Sequence, residues 1–265
     1  MSSYFQNKII WITGASSGIG EALAKALDQL GATLILSSRN KQELQRVLNT
    51  LNNSRSWILT LDLGSNESFE NEAKQVIDKY GKIDILINNG GISQRSLAAE
   101  TSLEVDRRIL EVNFLGTVAI TKAVLPYFLK QGHGHIVTVS SVTGLYGTPY
   151  RSAYAASKHA LHGFFDSLRA ELYNKNIAVT LVCPGFVRTP ITLHALTGDG
   201  TPLNKMDKGT SEGMDVEVFV KKMLKGISRQ KNRLVIGGFK EKFGVFMKRF
   251  FPSLFDKMIV KISVR

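Results

Sequence analysis

Short β-branched runs alternate with longer helical patterns along almost all of this chain, and that order constrains the fold more than any other feature. The strand candidates are KIIWIT (8–13), TLILSS (33–38), SWILTL (56–61), IDILIN (83–88), HIVTVS (135–140), AVTLVC (178–183) and RLVIG (233–237). Helical stretches fall between them, at about 19–30, 41–52, 66–80, 102–131, 152–174 and 215–229. Such βα units feed a parallel sheet. Several runs are apolar throughout, as strands covered on both faces should be. The reading is one α/β domain with a doubly wound, Rossmann-type, predominantly parallel seven-stranded sheet and helices on both faces. Its ligand belongs beyond the carboxyl ends of the strands, where strand order reverses.

The stretch SNESFENEAKQVIDKYG shows how the helices are punctuated: Ser65 is placed to cap, acids crowd the first turn, and Gly81 follows as a stop. With 265 residues and 43% hydrophobic content, the chain can bury one large core. No linker, low-complexity tract or internal repeat divides its middle. Cys183 is the only cysteine, so no disulfide framework forms within the chain and a reducing compartment fits best. The first apolar run is too short for a membrane span and lacks the layout of a secretory signal, which gives a cytoplasmic expectation. His133, His135, His159, His162 and His194 bring no carboxylate or cysteine motif with them, so no metal site is expected.

After the first strand comes TGASSGIG, holding Gly14, Ser16, Ser17, Gly18, Ile19 and Gly20, and then a helix. Glycines let the backbone turn sharply and approach a ligand, while a helix N-terminus offers free N–H groups to a pyrophosphate. This is the layout of a dinucleotide turn. The second strand ends in LSSRN, with Ser38 where an NAD site wants an acid and Arg39 next to it. A guanidinium pairs with a 2′-phosphate, so the expected cofactor is NADP(H). In LDLGS, Asp62 and Leu63 are placed to meet the adenine, although Asp62 is equally suited to cap the following helix.

The stretch YAASK places Tyr154 and Lys158 one helical turn apart on one face. A nearby ammonium favours the phenolate, which makes a tyrosine useful for exchanging a proton with a carbonyl or alcohol oxygen. A packed tyrosine beside a snorkelling lysine is the bland alternative. Ser141, directly after the fifth strand candidate, supplies a hydroxyl for the same oxygen, with Ser140 as a second candidate. Asn113 interrupts an apolar helix, where it could bend the helix and hold a water against Lys158.

Taken together, TGASSGIG, NNGG (88–91), Asn113, Ser141, YAASK and PGFVRT (184–189) resemble the short-chain dehydrogenase/reductase superfamily, in family order and over nearly the whole chain. NNGGISQRSL and YAASKHALHGFFDSLRAEL look like the dehydrogenase/reductase 7-like and 11-beta-hydroxysteroid-dehydrogenase-like group. The resemblance implies a catalytic tetrad of Asn113, Ser141, Tyr154 and Lys158. It also implies Asn89, Gly90 and Gly91 near the adenosine ribose, Pro184 and Gly185 in the cofactor wall, and Val187 and Thr189 at the carboxamide. Gly90 departs from the family's usual Ala. A homodimer or homotetramer follows from the same resemblance. The function expected is NADP(H)-dependent interconversion of a carbonyl and a secondary alcohol on an apolar, steroid-, retinoid- or lipid-like substrate. A nucleotide-binding regulatory or membrane-peripheral protein on the same fold is the competing reading.

Residues 1–238 form the catalytic domain in this reading, with about 190–214 as a lid over the substrate. Gln94 and Arg95 are candidates to line the substrate pocket, Arg95 being equally suited to a solvated loop. Residues 239–265 carry seven Lys/Arg against two acids, and apolar residues at 239, 243, 246, 247, 250, 254, 255, 258, 259 and 262, with a break at Pro252. This extension either packs a helical pair on the body or another subunit, or meets a membrane surface peripherally. No nucleic-acid-binding module is recognised.

Overall fold

The computed structural model describes residues 2–65 and 68–260. In chain order the elements are α1 (Ser2–Phe5), β1 (Ile9–Thr13), α2 (Gly18–Gln29), β2 (Thr33–Ser37), α3 (Lys41–Leu48), β3 (Trp57–Ile58), α4 (Glu70–Tyr80) and β4 (Ile85–Asn88). There follow α5 (Leu103–Leu110), α6 (Gly116–Gln131), β5 (Gly134–Val139), α7 (Ser152–Glu171), β6 (Ile177–Pro184), α8 (Lys208–Ser211), α9 (Val216–Ile227), β7 (Arg233–Ile236), α10 (Phe239–Phe250) and α11 (Pro252–Ile259). All seven strands pair in parallel in the order β3-β2-β1-β4-β5-β6-β7. The sheet reverses direction of growth between β1 and β4.

The apolar runs are explained by the two layers they serve. Ile10 and Ile12 of β1 pack into one core with α2 and α9, while Ile9 and Trp11 of the same strand pack into the other with α4, α6 and α7. Burying alternate residues on opposite faces requires both sets to be apolar. The edge strand β3 is shorter than its apolar run, because regular pairing with β2 covers only Trp57 and Ile58. Backbone bonds from Leu59 N to Leu36 O and Leu61 N to Ser38 O nonetheless extend the same register to the cavity.

Helix boundaries differ from the sequence expectation where side chains capture the backbone. Ser65 is not a cap: its hydroxyl donates to Asp62 O at 2.8 Å, and α4 begins only at Glu70 with Phe69 in the cap position. Residues 66–67 of the expected helix lie outside the described residues. Gly81 does stop α4, in the left-handed region at φ 77°. α3 ends at Leu48 rather than 52, since the Asp28 carboxylate takes the backbone N–H groups of Asn52 and Asn53.

Leu103–Gln131 runs as one continuous helical segment broken into a π-turn at Glu111–Leu115, with Asn113 at its centre. Its length and apolar content are those of a membrane-crossing helix, yet half of that apolar window is buried within the domain. Residues 190–214 are held by bridges from Leu196 to Gln94 and Pro202 and from Met214 to Val187, and by α8. In the C-terminal pair, Pro252 does mark the break. Met247 and Phe255 turn inward against Val142 and Tyr146, whereas Phe239, Phe243, Phe246, Phe250, Leu254 and Met258 stay exposed. The apolar stripe is therefore divided between two faces, and its member at 262 lies outside the described residues.

Candidate active site

A cavity of about 970 Å³ opens at the carboxyl ends of the strands, over the point where the sheet reverses. Its first half is backbone. Gly14 and Gly18 adopt φ values of 64° and 55°, and a Cβ on Gly14 would lie 2.7 Å from Gly90 Cα. A Cβ on Gly20 would strike Gly14 O, so this third glycine lets the helix close on the turn from behind. Ser17 makes no side-chain capping bond, which leaves the first N–H groups of α2 available to an anion. Thr13 Oγ1 accepts from the N–H groups of Asn89 and Gly90, and Asn89 Nδ2 donates to Thr13 O and Gly14 O, tying the ends of β1 and β4 together.

The same wall carries Ser16, Ile19, Ser38, Arg39, Asp62, Leu63 and Gly91, and across the cleft Pro184, Gly185, Val187 and Thr189. Arg39 is exposed at the end of β2. Asp62 faces the cavity while its Oδ1 accepts from Gly64 N and its Oδ2 pairs with Arg108 at 3.4 Å. The carboxylate thus closes its own turn and does not cap α4. Leu63 fills the space beside Gly90, where a Cβ would come within 2.6 Å of Leu63 Cδ1.

The second half of the cavity carries the side chains suited to proton transfer. Tyr154 and Lys158 sit on one face of α7, with Lys158 Nζ 5.7 Å from the Tyr154 ring centroid. Lys158 is buried and its ammonium donates to Val139 O at 3.0 Å. Burial pushes the ammonium down to about 8 from 10.5, so it still carries its charge at neutral pH. Ser141 Oγ accepts from both Thr143 N and Thr143 Oγ1. With those acceptor sites taken, its own proton is left to donate into the cavity. Ser140 is not an equivalent donor, because its hydroxyl is committed to Lys158 O and to His162.

Three of the residues expected at the site do not line the cavity. Gly20 packs behind the turn. Asn113 is fully buried in the π-turn, where Oδ1 accepts from Ile92 N and Nδ2 donates to Ile92 O and Ser157 Oγ. Gln94 is a correction: it is fully buried and faces away from the cavity. Its Oε1 accepts from Ala153 N and Tyr154 N, and its Nε2 donates to Ser96, Thr101 and Ser152. It caps α7 from sixty residues upstream, because Arg151 at the cap position makes no side-chain cap bond.

Other residues were not anticipated. Ser157, inside YAASK, donates to Tyr154 O and so connects Asn113 to the backbone of the tyrosine. Arg46 reaches from α3 to Ser16 O and to Glu21, whose carboxylate it holds down to about 2. Arg95 is no solvated loop residue: it is paired with Asp207, and Arg151 shares that carboxylate. A short run such as YAASK announces Ser157 by spacing, but no local pattern announces partners separated by 112 residues.

The short chain dehydrogenase family model matches residues 8–198. A dehydrogenase/reductase SDR family protein 7-like from Drosophila melanogaster is 42% identical over 264 residues, covering 97% of this chain and 81% of that protein. A dehydrogenase/reductase SDR family member 7B from Mus musculus is 35% identical over 263 residues, with the same two coverages. Among solved structures, a short-chain dehydrogenase/reductase from Burkholderia phymatum in complex with NAD superposes with a TM-score of 0.84 over 94% of this chain and 95% of that one. At 24% identity it speaks for the fold alone. An actinorhodin polyketide ketoreductase variant with NADPH has 32% identity and a TM-score of 0.66 over 72% of this chain and 73% of that one.

Proposed function

Since the chain belongs to the short-chain dehydrogenase/reductase family, we propose that it interconverts a carbonyl and a secondary alcohol with NADP(H), Tyr154 exchanging the proton. The observation that carries this reading is one cavity with a glycine cradle on one side and Ser141, Tyr154 and Lys158 on the other. The close approach of Gly14 to Gly90 and the uncapped start of α2 suit a dinucleotide pyrophosphate. When bound, the nicotinamide supplies or takes the hydride. Ser141 donates to the substrate oxygen, Tyr154 gives that oxygen its proton in reduction and takes it back in oxidation, and Lys158 offsets the phenolate charge. Asn113 touches no substrate in this scheme. Through Ile92 and Ser157 it positions the helix that carries Tyr154.

NADP(H) over NAD(H) rests on Ser38 and the exposed Arg39 at the end of β2, where an acid would otherwise meet the ribose. The solved ketoreductase relative carries NADPH and the Burkholderia enzyme NAD, so relatives of this fold take either. Ile92, Phe186 and Ile191 give the substrate half an apolar lining, which favours a lipid-like substrate. Residues 190–214 act as its lid, and the exposed Phe face of α10 and α11 with Lys240, Lys242, Lys248, Arg249 and Lys257 suits peripheral contact with an anionic membrane. The working form is a homodimer or homotetramer.

The test is a panel of steroid, retinoid, quinone, ketoacyl and aromatic ketones scored by NADPH consumption. Tyr154→Phe should lower kcat by about 100-fold or more on any ketone the parent reduces. A variant reducing it at the parental rate refutes the mechanism.

A further inference from the structure

In the substrate half of the cavity, two arginines share one carboxylate. Arg95 donates from Nε and Nη2 to Asp207 Oδ2 at 2.9 and 2.6 Å, and Arg151 Nη2 reaches the same oxygen at 3.4 Å. The other oxygen, Oδ1, takes Thr210 N at 2.6 Å. All three side chains are buried, at 7%, 8% and 4% exposure for Arg95, Arg151 and Asp207. The cluster therefore places two positive charges against one negative charge inside the protein.

The two guanidiniums are not equivalent. Arg95 makes four hydrogen bonds with its five N–H donors, since Nη1 also donates to Ser93 Oγ and Gln94 O. Among the described residues the Arg151 guanidinium has only the long hydrogen bond to Asp207, its Nε is buried with no hydrogen-bond partner, and it lies 5.2 Å from the centre of the Phe186 ring. Burial, with Arg95 beside it, pushes Arg151 down to about 10. A buried cation this poorly satisfied is costly unless something else completes it. The other acid near this end is Glu241, which accepts from Phe186 N at 3.4 Å and faces Tyr146, itself pushed up to about 12 by burial. Of the acids on the cavity wall, Glu21 and Asp62 lie at the cofactor end with Arg46 and Arg108 as partners, and Glu43 is bound by Arg46.

Arg151 lines the cavity three residues before Tyr154, at the start of the same helix. We infer that the substrate carries an anionic group, a carboxylate or a phosphate, which pairs with Arg151 while its carbonyl meets Tyr154. The substrate is then an anionic amphiphile, its chain lying along Phe186 and Ile191. This rests on the carbonyl–alcohol reading above and adds a recognition site to it. Arg95 and Asp207 are positioning residues: they fix Arg151 and leave the cluster one charge in excess.

The test compares a medium-chain oxo-acid, its methyl ester and the corresponding oxo-alkyl phosphate, each reduced with NADPH. The parent should show a kcat/KM at least about tenfold higher for the acid or the phosphate than for the ester, the size of one charge-assisted hydrogen bond. The better of the two identifies the anion. In Arg151→Gln the anion-to-ester ratio should collapse to near one, whatever the absolute rates. Equal kcat/KM for anion and ester in the parent overturns the inference while leaving the oxidoreductase reading intact, as does an unchanged ratio in Arg151→Gln. If no ketone is turned over, the oxidoreductase reading fails, and thermal stabilisation of the NADPH-loaded parent decides the inference separately. A larger shift with acid or phosphate than with ester supports it, and equal shifts refute it.

Discussion

Asn113 and Ile92 exchange two hydrogen bonds: the amide oxygen accepts from Ile92 N at 2.8 Å and the amide nitrogen donates to Ile92 O at 2.9 Å. A side chain thereby stands in for a strand neighbour beyond the end of β4, and the π-turn at 111–115 places it there. Asn113→Ala would leave both backbone groups of Ile92 without this partner, a loss on the order of 2 to 4 kcal/mol of stability. Because Ser157 and through it Tyr154 are held by the same amide, kcat should fall about tenfold or more while KM changes little. Urea unfolding read alongside steady-state kinetics checks both parts.

What the sequence makes legible here is whatever depends on local period. The two-sided burial of Ile9–Thr13 demands an unbroken apolar run, and a run is visible. Tyr154 and Lys158 share a face because four residues make a turn. Asn113 stands out as polar in an apolar helix, but the π-turn and the Ile92 partner depend on how that helix meets β4. Gln94 reads as a pocket residue because it follows a cofactor motif, and only the folded chain shows it capping α7. The tail's apolar stripe is real in sequence, yet the turn at Phe251 splits it between the body and solvent.

Gln94→Ala should separate stability from chemistry. The variant removes a cap from α7 and leaves the buried hydroxyl of Ser96, with those of Thr101 and Ser152, to find new partners. A loss of about 1 to 2 kcal/mol is expected from the cap alone. Since Gln94 does not face the cavity, KM for the ketone should stay within about twofold, whereas a residue in contact with substrate would move it further.

Replacing Arg39 tests the proposed preference for NADP(H). It is exposed, so its replacement by Ala should leave the melting temperature nearly unchanged. If it pairs with a 2′-phosphate, kcat/KM for NADPH should fall by about ten- to a hundredfold with little change for NADH, the range of a charge-assisted hydrogen bond. An unchanged NADPH-to-NADH ratio would remove Arg39 from the site.

The exposed face of α10 and α11 can be tested without disturbing the buried one. Removing the tail would also strip Met247 and Phe255 from Val142 and Tyr146, next to Ser141. Phe246→Asp with Phe250→Asp changes only exposed residues, at 49% and 58% exposure. Flotation with phosphatidylserine-containing vesicles should drop at least about tenfold in the double variant while ketone reduction in detergent-free buffer persists. Equal flotation of parent and variant would dismiss the membrane contact.

Lys158 should betray its burial as a pH-dependent stability. Its ammonium is held at about 8 in the folded protein against 10.5 for a free lysine, so between these values the unfolded chain binds the extra proton. Stability from this group therefore rises with pH across that window. Below about 8 both states are protonated and the full penalty of burying the charge applies; above 10.5 it is gone. Lowering an ammonium's affinity for its proton tenfold costs about 1.4 kcal/mol, which puts the penalty across this window on the order of 3 kcal/mol. Lys158→Met has no such titration. Its stability relative to the parent should fall by roughly that amount between about pH 7 and pH 10.5, as read from urea unfolding at each pH, with the titrations common to both proteins cancelling in the difference. A parallel pair of stability curves would mean that Lys158 is charged without penalty in the folded protein. Under the proposed mechanism the same substitution should abolish turnover at every pH, because it removes the ammonium 5.7 Å from the Tyr154 ring centre.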